Sequence, residues 1–94
     1  MSDIPDDISS GNPDKIPVDD IIGDDNIKPD DKLVGAIRIT NGIIHPILVK
    51  DLKNGKYQVK VGKRRLSAYR ILKKEDSRYD KIKAYVTDRD LDDE

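Results

Sequence analysis

The chain contains no cysteine, no tryptophan and no phenylalanine, and only one histidine and one methionine among its 94 residues. Without cysteine there can be no disulfide, no thiolate metal site and no Cys nucleophile. With a single histidine, His45 is the one imidazole the chain can offer to chemistry. No apolar run approaches the ~20 residues of a membrane-spanning helix. The amino terminus, Met1-Ser2-Asp3-Ile4-Pro5-Asp6-Asp7, has no apolar core and does not read as a signal peptide. A soluble, cytoplasmic protein is the expectation. Length allows one domain, and Ile16 to Val86 carry enough apolar residues for a small core, near the lower limit for independent stability.

What the chain has in plenty is charge, sorted by position. Residues 1–31 hold ten Asp against Lys15 and Lys28, a net of −8. From Lys32 to Thr87 fifteen Lys and Arg face Asp51, Glu75, Asp76 and Asp80, a net of +11. The last seven residues hold five acids and Arg89, a net of −4, so the near-neutral total of −1 conceals a basic centre between acidic ends. A basic face attracts phosphates and nucleic acid, and acidic tails solvate or compete for such a face. The alternative is a merely solvated surface on a highly charged protein.

The most informative segment is Val61-Gly62-Lys63-Arg64-Arg65-Leu66-Ser67-Ala68-Tyr69-Arg70-Ile71-Leu72. An alternating strand (Tyr57, Val59, Val61) runs into Gly62, three cations follow, and a helical apolar spacing continues through Leu66, Tyr69 and Leu72. Three positive charges therefore stand at the amino end of a helix, where the macrodipole is already positive. Each exposed charge is unfavourable there by roughly 0.3–1 kcal/mol. An anion docked on the helix start reverses the sign, because free backbone N–H groups and the dipole both favour negative charge.

Around that segment the pattern predicts a small α+β domain, with a mixed sheet packed against two main helices. Residues 1–15 are expected to be a disordered acidic segment and residues 88–94 an acidic tail, with the domain spanning 16–87. Ile16-Pro17-Val18 reads as an edge strand. Asp19-Asp20 read as the cap of a single helical turn at Ile21-Ile22, and Gly23 to Pro29 as loop. Asp30 or Asp31 caps a helix from about Lys32 to Thr40, with Leu33, Ala36, Ile37 and Thr40 on one face, closed by Asn41-Gly42 with the glycine left-handed. Ile47 to Lys50 reads as a strand buried on both faces. A hairpin at Asn54-Gly55 leads to a strand from Lys56 to Val61, with Lys56, Gln58 and Lys60 outward. The second helix runs to about Lys74. Glu75 to Asp80 is a polar connection, and Lys81 to Val86 a last strand, with Ile82, Ala84 and Val86 inward.

The strings Ile43-Ile44-His45-Pro46-Ile47-Leu48-Val49, Gly55-Lys56-Tyr57 and Gly62-Lys63-Arg64-Arg65-Leu66-Ser67-Ala68 resemble the ParB/sulfiredoxin superfamily. Its members carry a Gly-x-x-Gln-Pro-Ile-x-Val strand, a Gly-x-Tyr hairpin and a Gly-Glu-Arg-Arg-x-Arg-Ala box. Ile16 to Ile21 is similar to the family's opening strand, so the resemblance covers about residues 16–87. It implies a nucleotide-phosphate pocket formed by the box and neighbouring loops. Partition proteins of the superfamily bind CTP with magnesium there and control clamping on DNA, sulfiredoxin binds ATP, and its free-serine kinases handle adenine nucleotide.

The departures from the family pattern are informative. Lys63 stands where partition proteins have glutamate and sulfiredoxin its cysteine, so sulfiredoxin chemistry is excluded. Ser67 replaces the last Arg of the box, and His45 the Gln before Pro46. An upstream Arg near Pro29 is missing, unless Lys28 substitutes, which puts partition-type hydrolysis in doubt.

The candidate ligand-binding residues are thus Gly62, Lys63, Arg64, Arg65, Ser67 and His45. Gly62 provides a tight turn and close backbone approach to an anion, or a plain strand-to-helix turn. Arg64 and Arg65 offer planar forks for phosphate oxygens, and Lys63 a point charge; two of the three cations are expected to contact ligand. Ser67 donates to phosphate or caps the helix. His45 is a candidate general base or phosphate donor, against a turn residue packed beside proline. Tyr57 and Tyr69 read as packing residues, while Tyr79 and Tyr85 could stack on a base.

The Asp runs show no metal-ligand spacing, so no metal site is assigned, and magnesium would arrive with nucleotide phosphates. The expected ligands are CTP or ATP with magnesium, with DNA as a partner through the basic 32–87 region. A phosphate-binding module in a partition, DNA-associated or regulatory role is the more economical reading. A phosphotransferase such as a free-serine kinase, or a nuclease, is the alternative.

Overall fold

The computed structural model describes residues 11–25, 27–28, 30–41 and 45–88. Strand β1 (Asp14–Pro17) is followed by a 3-10 turn (Val18–Asp20) and a two-residue strand β2 (Ile21–Ile22). Helix α1 (Asp31–Ile39) comes next, then the hairpin of β3 (Ile47–Asp51) and β4 (Tyr57–Val61). Helix α2 (Lys63–Glu75), a second 3-10 turn (Ser77–Tyr79) and β5 (Lys81–Thr87) complete the order. The sheet runs β1-β5-β3-β4-β2. It is mixed: β1–β5 and β3–β4 are antiparallel, whereas β5–β3 and β4–β2 are parallel. Both helices lie on one face, where Val34 and Ile37 of α1 and Leu66, Ala68, Tyr69 and Leu72 of α2 meet Ile47, Val49, Val59, Ile82 and Ala84 of the sheet.

The start of the chain departs from expectation at two places. Strand β1 begins at Asp14, inside the segment expected to be disordered. The turn forms one step earlier than Ile21, over Val18–Asp20, and lacks a side-chain cap. Ile21 and Ile22 are instead extended and pair in parallel with Tyr57 and Gln58. The bare edge of β4 offers Ile21 a ladder and complete burial, which a single isolated turn does not.

Helix α1 starts as read. The Asp30 carboxylate accepts from the backbone N–H of Lys32 (3.0 Å) and Leu33 (3.4 Å), which fixes the start. Such a cap contributes about 1 kcal/mol. The inward face is Val34 and Ile37, with Leu33 half-buried, while Ala36 and Thr40 are exposed. Because α2 covers only one side of this short helix, the buried stripe is narrower than the apolar pattern. At its end Asn41, φ 57°, occupies the left-handed region. The expected closing residue, Gly42, lies outside the described residues, with Ile43 and Ile44.

In β3, Ile47, Leu48 and Val49 are all fully buried, as their unbroken apolar run predicts. The strand β4 is where simple alternation fails. Leu48 pairs with Val61 while Val49 pairs with Val59, so Lys60 is an extra residue in the ladder. This bulge reverses the inward side. Val59 joins the main core, while Val61 joins Leu48 and half-buried Tyr85 in a small cluster of its own. Lys60, expected outward, is only 7% exposed.

Tyr79, in the polar connection, is 3% exposed and meets Tyr69 edge-on at 5.5 Å. It is a core residue and unavailable for base stacking. At the end of β5, Val86 is exposed and Thr87 buried, so the inward alternation stops after Ala84. The antiparallel neighbour β1 reaches no further than Ala84, which leaves that edge uncovered beyond it.

Candidate functional site at the amino end of helix α2

Gly62 turns β4 into α2 with φ 95°, a left-handed conformation that disfavours any side chain. A Cβ built there would lie 2.5 Å from Ile47 Cγ2 and 3.0 Å from Ile47 Cβ, so β3 occupies the space a side chain would need. Two independent constraints thus select glycine, and both bring the backbone of the helix start close to the sheet.

No side chain caps α2, and no acidic residue lies in its first turn. The first intrahelical bond runs from Leu66 N–H to Gly62 C=O at 3.0 Å, so the N–H groups of Lys63, Arg64 and Arg65 have no acceptor within the helix. Among the described residues, the side chains of Lys63, half-buried, and Arg64, exposed, make no ion pair or hydrogen bond. The third is tied down: Arg65 Nη1 donates to the carbonyls of His45 (2.7 Å) and Pro46 (3.2 Å). Arg65 therefore braces the loop entering β3 against the box. His45 contributes its carbonyl to this brace, and its residue is exposed. Ser67 is 8% exposed, one helical turn from Lys63, and lines an open cleft with Asp19, Ile21, Ile22, Asp24, Asp25 and Arg70, of about 510 Å³. Gly62, Arg65 and His45 are accordingly joined in one structure, Lys63 and Arg64 lie beside Arg65 in the first turn of α2, and Ser67 lines the neighbouring cleft.

Sequence reasoning missed the side chains that hold this cleft. Arg70 grips Asp24 through Nε–Oδ2 (2.7 Å) and Nη2–Oδ1 (3.0 Å). It also donates to the carbonyls of Val18 (3.0 Å) and Ile21. The Asp24 carboxylate is 7% exposed. One turn on, Lys73 bonds Asp19, and that contact holds the Asp19 carboxyl below its ordinary value of 3.8, through the hydrogen bond first and the charge second. One signal was available, an arginine three residues after Ser67 on an otherwise inward face. Its partner was hidden among ten aspartates of the first 31 residues. Among the described residues no three His, Cys, Asp or Glu side chains converge as a metal site.

Fold and site together define a small α+β domain that presents an uncapped, cation-bearing helix start beside a braced loop. The chain belongs to the family of ParB N-terminal domains: the family model matches residues 6–94. No curated protein matches. Among solved structures, it is similar to SbnI with C-terminal truncation from Staphylococcus aureus, at TM-score 0.67 and 26% identity, over 85% of this chain and 32% of that one. It shares its fold with the C-terminally truncated chromosome-partitioning protein ParB from Caulobacter crescentus, complexed with CTP-γ-S, at TM-score 0.63 and 22% identity. That match covers 85% of this chain and 46% of that one, so the chain spans less than half of either protein.

Proposed function

We propose that this domain binds the phosphates of a nucleoside triphosphate, CTP or ATP with magnesium, at the amino end of α2, and serves a partition or other DNA-associated role. The observation that carries the reading is the uncapped first turn of α2 with Lys63 and Arg64 unengaged beside it. Three N–H donors, a positive dipole end and two unneutralised cations form an electrostatic arrangement that an anion completes. The CTP analogue in the ParB complex supports the nucleotide class. The chemistry of the donor set fits a triphosphate: backbone N–H groups for one phosphate, a guanidinium fork from Arg64 for another, and a Lys63 ammonium as a point charge. Ser67 and the cleft beside it give the remainder of the ligand a place to lie. Magnesium, when bound, neutralises phosphate charge and is held mainly by the phosphates, since a hard cation of this size keeps several waters and few protein ligands.

The test is a backbone amide NMR titration with CTP and with ATP, each with magnesium. Saturable shifts centred on Val61 to Ala68 and on His45 to Ile47 are expected for one nucleotide. Arg64→Ala together with Lys63→Ala should weaken that nucleotide by roughly a hundredfold or more, because two charge-assisted contacts of about 1.5–3 kcal/mol each are removed. No response to either nucleotide would overturn the reading.

A further inference from the structure

A second cationic site lies at the opposite edge of the sheet. Lys15 of β1 stands directly across from Lys83 of β5 in the antiparallel ladder, where side chains of a pair come within about 4.5–5.5 Å and like charges repel. Lys81 lies two residues back along β5, on the same side of the strand and about 6.7 Å away. Arg78, in the 3-10 turn leading into β5, completes the group, and the four cations border a cleft of about 340 Å³ near Tyr69.

Acidic neutralisation at this cleft is sparse. Among the described residues, Asp80 is the one carboxylate lining it. Arg78 is paired with Asp76 at 2.7 Å. Lys15, Lys81 and Lys83 are exposed and, among the described residues, form no ion pair or hydrogen bond. β1 is one edge of the sheet and β2 the other, next to the strand that feeds α2, so this cleft is separate from the start of α2.

We propose that this cleft is a contact site for the phosphodiester backbone of DNA. Two of the lysines, Lys81 and Lys83, lie about 6.7 Å apart along β5 and the third, Lys15, stands across from Lys83 on β1, a cationic cluster that successive phosphates of one backbone neutralise together. Lysine suits the task because a flexible point charge follows a backbone without reading bases. The assignment deepens the DNA-associated part of the proposed function and is independent of nucleotide binding at α2.

The experiment is fluorescence anisotropy of a short labelled duplex with the full chain across a salt series, for wild type, Lys81→Gln/Lys83→Gln and Lys63→Ala/Arg64→Ala. With Lys15, Lys81 and Lys83 in contact, log K should fall against log salt with a slope of about −2.7. Lys81→Gln/Lys83→Gln should reduce that slope by about 1.8 and weaken binding roughly eightfold per lysine at ~0.1 M salt. Its melting temperature should not fall, because both residues are exposed and their loss relieves repulsion. The α2 double variant should bind DNA as wild type does, and excess CTP or ATP should not compete. The proposal is overturned by absence of salt-dependent binding, by unchanged binding in the β5 variant, by loss of DNA binding in the α2 variant, or by preference for polyglutamate over DNA. If nucleotide binding at α2 fails while this DNA signature holds, only the α2 reading falls.

Discussion

Arg70 and Asp24 form a two-pronged ion pair, at 2.7 and 3.0 Å, that joins the middle of α2 to the loop after β2 across 46 residues of sequence. The same guanidinium donates to the carbonyls of Val18 and Ile21. It thereby anchors the two-residue strand β2, which has too few ladder bonds to hold itself. The wall of the cleft beside Ser67 thus depends on one side chain.

Replacing Arg70 by Met should be costly, because it leaves the Asp24 carboxylate buried without its partner. A loss of about 3 kcal/mol is expected, or roughly 15 °C in melting temperature for a domain of this size. Arg70→Lys should recover little, since an ammonium cannot match a fork. The double variant Arg70→Met/Asp24→Leu should lose less than Arg70→Met alone, because no buried charge is orphaned. Urea unfolding of the three variants measures this, and equal losses in the single and double variants would contradict it.

At the helix start, Gly62→Ala should destabilise for two reasons. The left-handed φ costs about 1–2 kcal/mol for a residue with a Cβ, and that Cβ would overlap Ile47. A total of about 3 kcal/mol is expected. Combined with Ile47→Ala, the losses should fall short of additive by about 1 kcal/mol, since the truncation removes the overlapping methyl. Additive losses in denaturant unfolding would show that the contact with Ile47 is not what excludes a side chain.

The contact between Asp19 and Lys73 sets a pH dependence at the acid end. The folded carboxyl titrates below its ordinary 3.8, chiefly through the hydrogen bond from Lys73 and then its charge. A depressed folded pKa means the stabilisation is present above about pH 4 and is lost as pH falls through the lower, folded value. Lys73→Met should move the Asp19 midpoint upward. Carbon-detected NMR titration of the Asp19 carboxyl measures it, and an unmoved midpoint would remove Lys73 as the cause.

Tyr69 produces the opposite dependence at the alkaline end. Burial raises its phenol above the ordinary 10.0, and neighbouring Tyr79 adds to the shift. A raised folded pKa means full stability below about pH 10 and progressive loss above it, because the unfolded chain releases the proton more readily. Tyr69→Phe should flatten the decline of melting temperature between neutral and strongly alkaline pH. A decline as steep as wild type would place the dependence on other groups.

Much of the architecture was legible locally. Asp30 before a 3.6-residue pattern marks the start of α1, the run Ile47-Leu48-Val49 marks a strand covered on both sides, and Gly62 followed by Lys63 and Arg64 marks a helix start without acid. Each depends on neighbours a few residues apart, so propensity, capping and periodicity suffice to read them. The partition of roles within the box was not legible. Arg64 and Arg65 are adjacent and chemically identical, yet only the fold carries the carbonyls of His45 and Pro46 to Arg65. The bulge at Lys60, the extension of Ile21 and Ile22 along β4, and the choice of Asp24 for Arg70 were likewise decided by tertiary structure. All three rest on partners 10 to 46 residues distant, and a ladder edge or buried carboxylate acts on a residue only once the chain has brought the two together. The sequence by itself determined the charge layout and the helix start; close packing decided which of those charges serve the fold and which face outward.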